Sequence, residues 1–316
     1  MNRILRSFPI LALVALPPLA LARPPLLYHH LTSLVAHPSG TVRLGLSLQD
    51  VVIHVSAGNS VTVSTEIWAS AGSADAKARI VKSLAPKIGD RGGDIFIRAP
   101  GIGGWSRYFN WSGGPRARVT VTMPGSMAID YRLGSGDFRF INPGAPNRIT
   151  GYSGSGDVAI KSASTRIIAK AGSGDLTIAL DRATRQVQLG TGSGDIDFSG
   201  TTDSLSLSTG SGDIEIGNAM AKRILLRTGS GDVTAHWQDL GAASLKASSG
   251  SGDLVMYFPA RSKLSGIIST GSGDVDTDFA ATIHGGRHVY IPAGGTGSIR
   301  LNLDTGSGDI ALRKGG

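Results

Sequence analysis

The sequence of 316 residues contains no cysteine. This absence excludes a disulfide framework, and it argues against a lipid anchor, which needs a cysteine directly after an export signal. A domain of this size buries enough apolar surface to fold without disulfides. The lack of cysteine is therefore compatible with an exported domain that relies on its core alone.

A long apolar run is missing beyond the first 22 residues, so no later segment is expected to cross a membrane. Those first residues have the form of a secretory signal, with Arg3 and Arg6 before an apolar stretch and the cleavage site Ala20-Leu21-Ala22 at its end. The alternative is an uncleaved anchor, but the apolar stretch is short and contains Pro17 and Pro18. We expect residues 1–22 to be removed and the protein to reach the periplasm or cell surface of a bacterium.

Motifs of catalysis and of nucleic-acid recognition are also lacking. Gly151-Tyr152-Ser153-Gly154-Ser155 fails the nucleophile-elbow pattern at its last position, and no phosphate-binding loop is present. The net charge of +8 describes a positive field without a recognition motif, and export argues against a nucleic-acid partner. We predict a non-enzymatic protein without a cofactor. A polysaccharide-cleaving β-helix with clustered carboxylates is the enzyme alternative.

One tetrapeptide is abundant. Gly-Ser-Gly-Asp occurs nine times, and its first glycines are Gly134, Gly154, Gly172, Gly192, Gly210, Gly229, Gly250, Gly271 and Gly306. The steps between them are 18 to 21 residues long, except for a final step of 35. Self-similarity at such a period predicts a solenoid.

The residues that flank each tetrapeptide alternate between apolar and polar, which predicts strands with one buried face. Each repeat is then a strand, a Gly-Ser-Gly corner, a second strand and a second turn. Stacking equivalent strands about 4.8 Å apart in parallel buries a continuous core. The predicted core includes Ile178, Leu189, Ile196, Phe198, Leu205, Leu207, Ile214, Ile216 and Leu226. The corner glycines would allow positive φ.

The fold class that follows is all-β, a single-stranded parallel β-solenoid, with right-handed winding as the default for parallel crossovers. Residues 23–40 are predicted to be an irregular lead-in and residues 41–316 a single solenoid domain. From Leu46 the alternation gives early rungs without the Gly-Ser-Gly-Asp corner. Residues 73–88 are predicted to be a short helical insert, with Ser73 as its N-cap, that covers the N-terminal end.

Two groups of side chains are candidate binding sites. The glycine-rich loop at about 100–116 carries Trp105, Tyr108, Phe109 and Trp111. These rings could form a stacking platform for sugars or a partner contact, or they could fold back onto the helix or the cap. Further along, Asp195, Asp197, Asp213 and Glu215 lie at equivalent positions of two successive repeats.

Stacking would bring these four carboxylates together, and calcium favours such oxygen-rich clusters. The alternative is that they are solvated or pair with basic neighbours, and we predict no metal. The aspartates of the corners are expected to accept N–H groups of their own corner. His284 and His288 lack an evident third ligand.

The order of these features resembles the bacterial toast-rack family of adhesin-type β-solenoids. The resemblance covers roughly Thr41 to Arg313 and rests on the early rungs, the helical insert, the segment Val119-Thr120-Val121-Thr122-Met123-Pro124 and corners of the form Thr-Gly-Ser-Gly-Asp-Ile. It implies an exported or surface-exposed β-solenoid linked to adhesion and envelope stress, and it supplies no catalytic residue. The aromatic loop and the long last interval depart from the family pattern.

The resemblance and the residues together predict a monomeric cell-envelope protein that presents a rigid surface for binding. The expected partner is a surface glycan or another envelope protein. The alternative is a structural or signalling partner in envelope-stress homeostasis.

Overall fold

The computed structural model describes residues 24–99, 114–141, 148–284, 287–292 and 298–315. In these residues one helix, α1, spans Ala74–Leu84. The strands are β1 (Leu26–Val35), β2 (Thr41–Leu46), β3 (Gln49–Ser56), β4 (Ser60–Trp68), β5 (Lys87–Arg91), β6 (Asp94–Arg98), β7 (Arg116–Pro124), β8 (Ala128–Leu133), β9 (Phe138–Ile141), β10 (Ile149–Ser153), β11 (Val158–Ser162), β12 (Arg166–Ala171), β13 (Leu176–Leu180), β14 (Thr184–Thr191), β15 (Ile196–Thr209), β16 (Ile214–Thr228), β17 (Val233–Trp237), β18 (Ser244–Ser249), β19 (Leu254–Pro259), β20 (Leu264–Thr270), β21 (Val275–Thr277), β22 (Thr282–His284), β23 (His288–Ile291), β24 (Ile299–Thr305) and β25 (Ile310–Gly315).

Each rung of the solenoid consists of one strand before a corner and one strand after it. The strands before the corners form the pre-corner sheet, in the order β5-β6-β2-β8-β10-β12-β14-β15-β16-β18-β24-β20-β23-β22. The strands after the corners form the post-corner sheet, in the order β1-β4-β7-β3-β9-β11-β13-β15-β16-β17-β19-β25-β21. The long strands β15 and β16 pass through the second turn and belong to both sheets.

The main apolar core runs the length of the stack, from Ala36 to Leu312, and a small second cluster lies beside the helix. The nine residues that the alternation places in the core are all buried, with Phe198 the most exposed at 2%. The period-two prediction of the inward face is confirmed, because side chains in a strand alternate strictly between its two faces.

The ends of the stack differ from an all-parallel solenoid. The strand β4 runs antiparallel to β7 and to β1, and β5 runs antiparallel to β6. At the other end β23 runs antiparallel to β20 and to β22. A short loop can return a strand only in the antiparallel sense, so the chain turns back at both ends. The antiparallel strands cover β6, β7 and β20, whereas β21 is left as an edge of the post-corner sheet.

The predicted irregular lead-in, residues 23–40, contains the ten-residue strand β1 instead. The strand escaped prediction because both of its faces are largely open to solvent at the edge of the sheet, so its sequence has no strict alternation. The early rungs without Gly-Ser-Gly-Asp are present, since β2 and β3 stack in parallel on β8 and β9.

The last repeat lies inside the stack and not at its end. The strand β24 pairs with β18 on one side and with β20 on the other, and β25 pairs in the same way with β19 and β21. The rung of Gly306 is therefore inserted between the rungs of Gly250 and Gly271. The 35-residue interval contains the antiparallel hairpin β22–β23, in which β23 pairs with the outer edge of β20. The chain then returns and inserts β24 between β18 and β20, and β25 between β19 and β21.

The helix α1 is tied to the first corner. The Ser73 hydroxyl accepts the N–H of Ala76 at 3.2 Å and caps the N-terminal end of the helix. Leu84 packs with Ile67 and Ala117 on the buried sides of β4 and β7. The amide of Gln49 donates to the Leu84 carbonyl at 2.7 Å, so the helix end is held by the corner that precedes β3. No helix among the described residues is long and apolar enough to cross a membrane.

Candidate functional site

The corners of successive rungs stack directly on one another and form one column, which we call the corner column. A Cβ atom on Gly210 would overlap the carbonyl oxygen of Gly192 in the preceding corner, and one on Gly212 would overlap the carbonyl oxygen of Gly194. The glycines with positive φ in the described residues are Gly92, Gly93, Gly200, Gly241 and Gly266. The prediction of positive φ at the corners is therefore wrong. Glycine is needed there because backbones of neighbouring corners meet without room for a side chain.

Ten aspartates follow the corner column. The Oδ1 atom of every one except Asp274, the last in the stack, accepts the backbone N–H of the aspartate in the next corner, at 2.7 to 3.3 Å. In stack order they are Asp50, Asp137, Asp157, Asp175, Asp195, Asp213, Asp232, Asp253, Asp309 and Asp274. The carboxylates thus bond to the neighbouring corner and not to their own, so each one joins two rungs. The second carboxylate oxygens leave an acidic line along one edge of the protein.

The hydroxyl groups before the corners form a second ladder. The Thr209 hydroxyl donates to the Gly194 carbonyl at 3.0 Å and accepts the Gly212 N–H at 3.1 Å. The same pair of bonds is made by Thr191, Thr228, Ser249, Thr270 and Thr305. These buried hydroxyls satisfy polar groups that the tight corners would otherwise leave without partners.

The four carboxylates considered as candidate metal ligands have two different positions in the fold. Asp195 and Asp213 belong to the corner column, where each Oδ1 accepts a backbone N–H at 2.8 Å. Asp197 and Glu215 are register partners on the outer side of the post-corner sheet. Burial raises the pKa of Asp197, and the charges of Glu215, Asp195 and Asp175 raise it further.

Within the described ranges no group of three or more His, Cys, Asp or Glu side chains is arranged to hold a metal ion. The absence of a bound metal stays a prediction. Thermal melts with millimolar calcium and with a chelator test it, because a ligand of the folded state alone must raise the melting temperature. We expect no difference between the two melts. A rise that disappears in Asp197→Asn/Glu215→Gln would contradict the prediction.

The predicted aromatic platform of Trp105, Tyr108, Phe109 and Trp111 lies outside the described residues. Of the two histidines in the last interval, His288 is exposed, and its backbone register partner is His284. Neither group contributes to the geometry that follows.

The outer side of the pre-corner sheet carries most of the concentrated positive charge, and we call it the basic face. Its exposed basic side chains in regular strands include Arg98, Arg132, Arg166, Lys170, Arg223, Arg227, Lys246 and Arg300. None of these eight has an acidic partner within 4.0 Å in the part of the chain that the structure describes. The acidic corner column therefore lies along one edge, and the adjoining basic face presents these eight side chains together with the acidic Asp94, Asp130 and Asp304.

A hollow of about 370 Å³ lies on the basic face near the N-terminal end, and we call it the Gly45 hollow. Its lining residues are Arg43, Leu44, Gly45, Arg98, Asp130 and Arg132. Gly45 is the register partner of Arg98 on one side and of Arg132 on the other. Because glycine has no side chain, a gap lies between these two arginines in one cross-strand row. The row continues through Tyr152 to Lys170.

Arg43 forms one wall of the Gly45 hollow and is fixed by two carboxylates. Its Nε donates to Asp94 at 2.9 Å and its Nη1 to Asp130 at 3.1 Å. The hydrogen bond from Arg43 is the main cause of the lowered pKa of Asp94. Arg98 and Arg132 have no acidic partner within 4.0 Å among the described residues, and the Arg98 guanidinium lies over the Phe96 ring, 4.9 Å from its centroid. Their charges are therefore available to an anion.

The basic face was not predicted from the sequence. Its arginines come from strands far apart in the chain, and only the stacking order brings them together. The signal available in the sequence was the recurrence of Arg or Lys at outward positions of the strands before the corners, as at Arg166, Lys170, Arg223 and Arg227.

Comparison with known proteins gives a family and a fold. The family described as Toastrack DUF4097 matches residues 43–313. The crystal structure of a "putative adhesin" from Parabacteroides merdae has a TM-score of 0.54 at 11% identity, over 90% of this chain and 96% of that chain. No curated protein matches the sequence.

Two other solved structures have lower TM-scores. A "putative adhesin" from Bacteroides fragilis gives 0.46 at 15% identity, over 90% of this chain and 97% of that chain. A "putative lipid binding protein" from Parabacteroides distasonis gives 0.46 at 16% identity over the same shares. At these identities the solved structures bear on the fold alone.

Proposed function

The chain belongs to the Toastrack DUF4097 family, and from that premise we propose that it is a non-enzymatic, exported cell-envelope protein whose basic face binds an anionic envelope polymer. The single observation that carries the proposal is the row structure of the basic face. Exposed arginines and lysines without acidic partners stand on a sheet whose strands repeat about every 4.8 Å. Such a surface attracts a chain of regularly spaced negative charges, and its backbone does not have to reorganise on binding.

The rigidity of the face follows from the core and the ladders. Every rung shares the continuous apolar core, and each corner is bonded to the next through an aspartate and, in most rungs, a hydroxyl. Side chains on such a scaffold lose little backbone entropy on binding, so their charges act together.

The test compares charge removed from the basic face with equal charge removed elsewhere. In Arg166→Gln/Arg223→Gln/Arg300→Gln we expect affinity for a phosphate-bearing polysaccharide to fall about tenfold, because three charge contacts of roughly 0.5 kcal/mol each amount to one decade. The control Arg139→Gln/Lys161→Gln/Lys222→Gln removes three charges that are already paired with Asp137, Asp181 and Asp203.

Binding is measured by pull-down and by titration at increasing salt, with a neutral polysaccharide as the second control. Equal losses in the two triple variants would assign the binding to net charge and contradict the proposal. A co-purifying envelope protein with no polymer bound would support the alternative role as a structural or signalling partner.

Export is part of the same proposal, and the signal-like residues 1–22 support it. The mature protein recovered from the periplasm or cell surface should begin at Arg23, which mass spectrometry of its N-terminal peptide can determine. A protein that retains Met1 would contradict cleavage.

A further inference from the structure

The Gly45 hollow is an opening that the fold does not require. A Cβ atom on Gly45 would meet only the Cγ of Arg98, at 3.6 Å, which is an ordinary contact. Its φ is not among the positive values, so a side chain there would be unstrained. Gly45 thus differs from the corner glycines, where a Cβ would overlap backbone. The stacking of rungs therefore does not account for the missing side chain.

The walls of the hollow suit an anionic group. Arg98 and Arg132 lie on the two strands that flank β2, about 10 Å apart at the backbone, since each strand spacing is about 4.8 Å. Their long side chains can reach towards each other across Gly45 from that distance. Guanidinium groups bind phosphate and carboxylate in a bidentate manner. An anion seated above Gly45 would be held from both sides.

One further group suits the hydroxyls of a sugar. Asp130 lines the hollow, and a carboxylate accepts hydrogen bonds from sugar hydroxyls. Its attraction for Arg43 fixes its position and offsets part of its repulsion of an anion. Tyr152, the register partner of Arg132 on the next strand, is not among the lining residues, and its hydroxyl lies 3.3 Å from the position of a Cβ on Gly172, on the side away from Gly45.

We propose that the Gly45 hollow is a discrete binding site for a phosphorylated sugar, with Arg98 and Arg132 on the phosphate and Asp130 on ring hydroxyls. The site rests on the proposed function, because it would hold one unit of the anionic polymer that the basic face binds. It adds a ligand class and a stoichiometry that a diffuse charged surface does not have.

Glycine also supplies the matched variants. Gly45→Glu places a carboxylate inside the hollow, whereas Gly190→Glu places one in the same cross-strand row outside it. Gly190 lies between Lys170 and Ser208, and its Cβ would likewise meet no atom closer than 3.7 Å. Both substitutions change the net charge equally and introduce no backbone clash.

The experiment is calorimetric titration of the mature protein with glucose 6-phosphate. Glucose and inorganic phosphate serve as control ligands that carry only the sugar or only the phosphate. We expect one site per chain, an affinity for glucose 6-phosphate at least about tenfold higher than for either control ligand, and a loss of this affinity of at least about tenfold in Gly45→Glu. Gly190→Glu should stay within about twofold of the wild type. Arg98→Gln/Arg132→Gln should match Gly45→Glu, with an unchanged melting temperature showing that the fold is intact.

Several results would overturn the site. These are no binding of glucose 6-phosphate at millimolar concentration, an equal loss in Gly190→Glu, or phosphate binding as tight as the sugar phosphate. Binding to phosphatidylglycerol vesicles that Gly45→Glu abolishes, without binding of glucose 6-phosphate, would assign the hollow to a lipid headgroup and contradict a sugar ligand.

The two proposals can fail separately. If the polysaccharide binds with the expected loss in the Arg166, Arg223 and Arg300 variant while glucose 6-phosphate does not bind, only the discrete site is overturned. If glucose 6-phosphate binds in the Gly45 hollow while that triple variant retains the polysaccharide, the basic face as polymer-binding surface is overturned.

Discussion

The residues of the corner column have two roles: the glycines leave space for the neighbouring backbone, and the aspartates and threonines form hydrogen bonds to the next rung. The glycines let carbonyl groups of one corner approach the backbone of the next, and the aspartate and threonine bridge the same gap with hydrogen bonds. The tetrapeptide therefore encodes contact between rungs more than the shape of a single turn. A repeated motif of this kind is under the same steric demand at every rung.

Adding one methyl group to the corner column tests this view. In Gly212→Ala the new Cβ overlaps the Gly194 carbonyl, so we expect a loss of about 1 to 3 kcal/mol in the free energy of unfolding, as for overpacking elsewhere. In Gly217→Ala the Cβ has no atom within 4 Å, and the change should be neutral or stabilise by about 0.4 to 1 kcal/mol. Urea titrations of the two variants give the comparison. Equal effects would mean that the corners have room for a side chain.

The raised pKa of Asp197 predicts how stability changes with pH. Burial and neighbouring carboxylates raise this pKa above 3.8 in the folded protein, whereas the unfolded chain keeps the ordinary value. At neutral pH the folded state therefore holds an unfavourable charge. As the pH falls through the raised pKa, the folded protein takes up the proton first and the penalty disappears. Asp197→Asn should melt above the wild type at pH 7, and the difference should vanish below pH 3.8.

Asp203 provides the control of opposite sign. A hydrogen bond from Lys222 is the main cause of its lowered pKa, so its charge favours the folded state above the ordinary pKa. Asp203→Asn should melt below the wild type at neutral pH, with the difference lost in acid. Melting curves recorded across this pH range would contradict both assignments if the two variants shifted in the same direction.

At the scale of strands, the sequence predicts which residues face the core, but it does not predict the order in which the rungs stack. Inward residues such as Leu207 and Ile216 could be identified because a one-residue slip would turn every apolar side chain to solvent. The order of the last rungs could not, because the corners at Gly250, Gly271 and Gly306 are the same tetrapeptide and each can stack on any other. Only the hairpin β22–β23, which occupies the far edge of β20, assigns β24 to the inner place.

The candidate site escaped prediction for the same reason. Arg98, Gly45 and Arg132 form one row only after β6, β2 and β8 are placed side by side, and this order is not the order of the chain. The aromatic residues of the 100–116 loop were the stronger signal in the sequence, since rings concentrated in a short segment need no stacking order to be noticed. Right-handed winding of the solenoid stays a prediction.

The inserted rung makes the C-terminal end dependent on the last residues of the chain. In a chain that ends at residue 297, β18 and β20 lose the strand between them, and β19 and β21 lose β25. We expect hydrogen exchange to show lost amide protection in β20 and β21, while β12 to β15 stay protected, because rungs in a solenoid contact only their neighbours. Retained protection of β20 and β21 would show instead that their rung had moved one place and paired directly with β18 and β19.

At the scale of the whole molecule, charge and edges are separated. The acidic corner column runs along one side, the basic face lies next to it, and the open strand edges lie at the two ends. A polyanion is therefore attracted to one face and repelled at the adjoining edge, which would align it along the stack. This arrangement leaves the ends to be protected from other chains by their own features.

The predicted monomer depends on those ends. The edge of the post-corner sheet at the C-terminal end is β21, which is three residues long and carries Asp276, with Asp278 just beyond it. Arg313 bridges both carboxylates, at 2.7 and 3.5 Å, and Asp278 also accepts the backbone N–H of Lys314. A short edge strand with charges is a poor template for pairing with another chain. Pairing through β21 is therefore disfavoured, and light scattering of the wild type should give the mass of one chain. A mass that rises with concentration would implicate β1, the ten-residue edge strand at the other end.

Removing the two edge charges should abolish that protection. In Asp276→Val/Asp278→Val the edge becomes apolar and β-prone while its N–H and C=O groups stay unpaired, so we expect an apparent mass that rises with protein concentration. The control Asp197→Val/Glu215→Val removes the same charge from the middle of the same sheet, where both neighbouring strands are already paired, and should stay monomeric. If the control associates as strongly as the edge variant, exposed apolar surface drives the association and the ends do not need their charges. If neither associates, the shortness of β21 is sufficient to keep the edge closed.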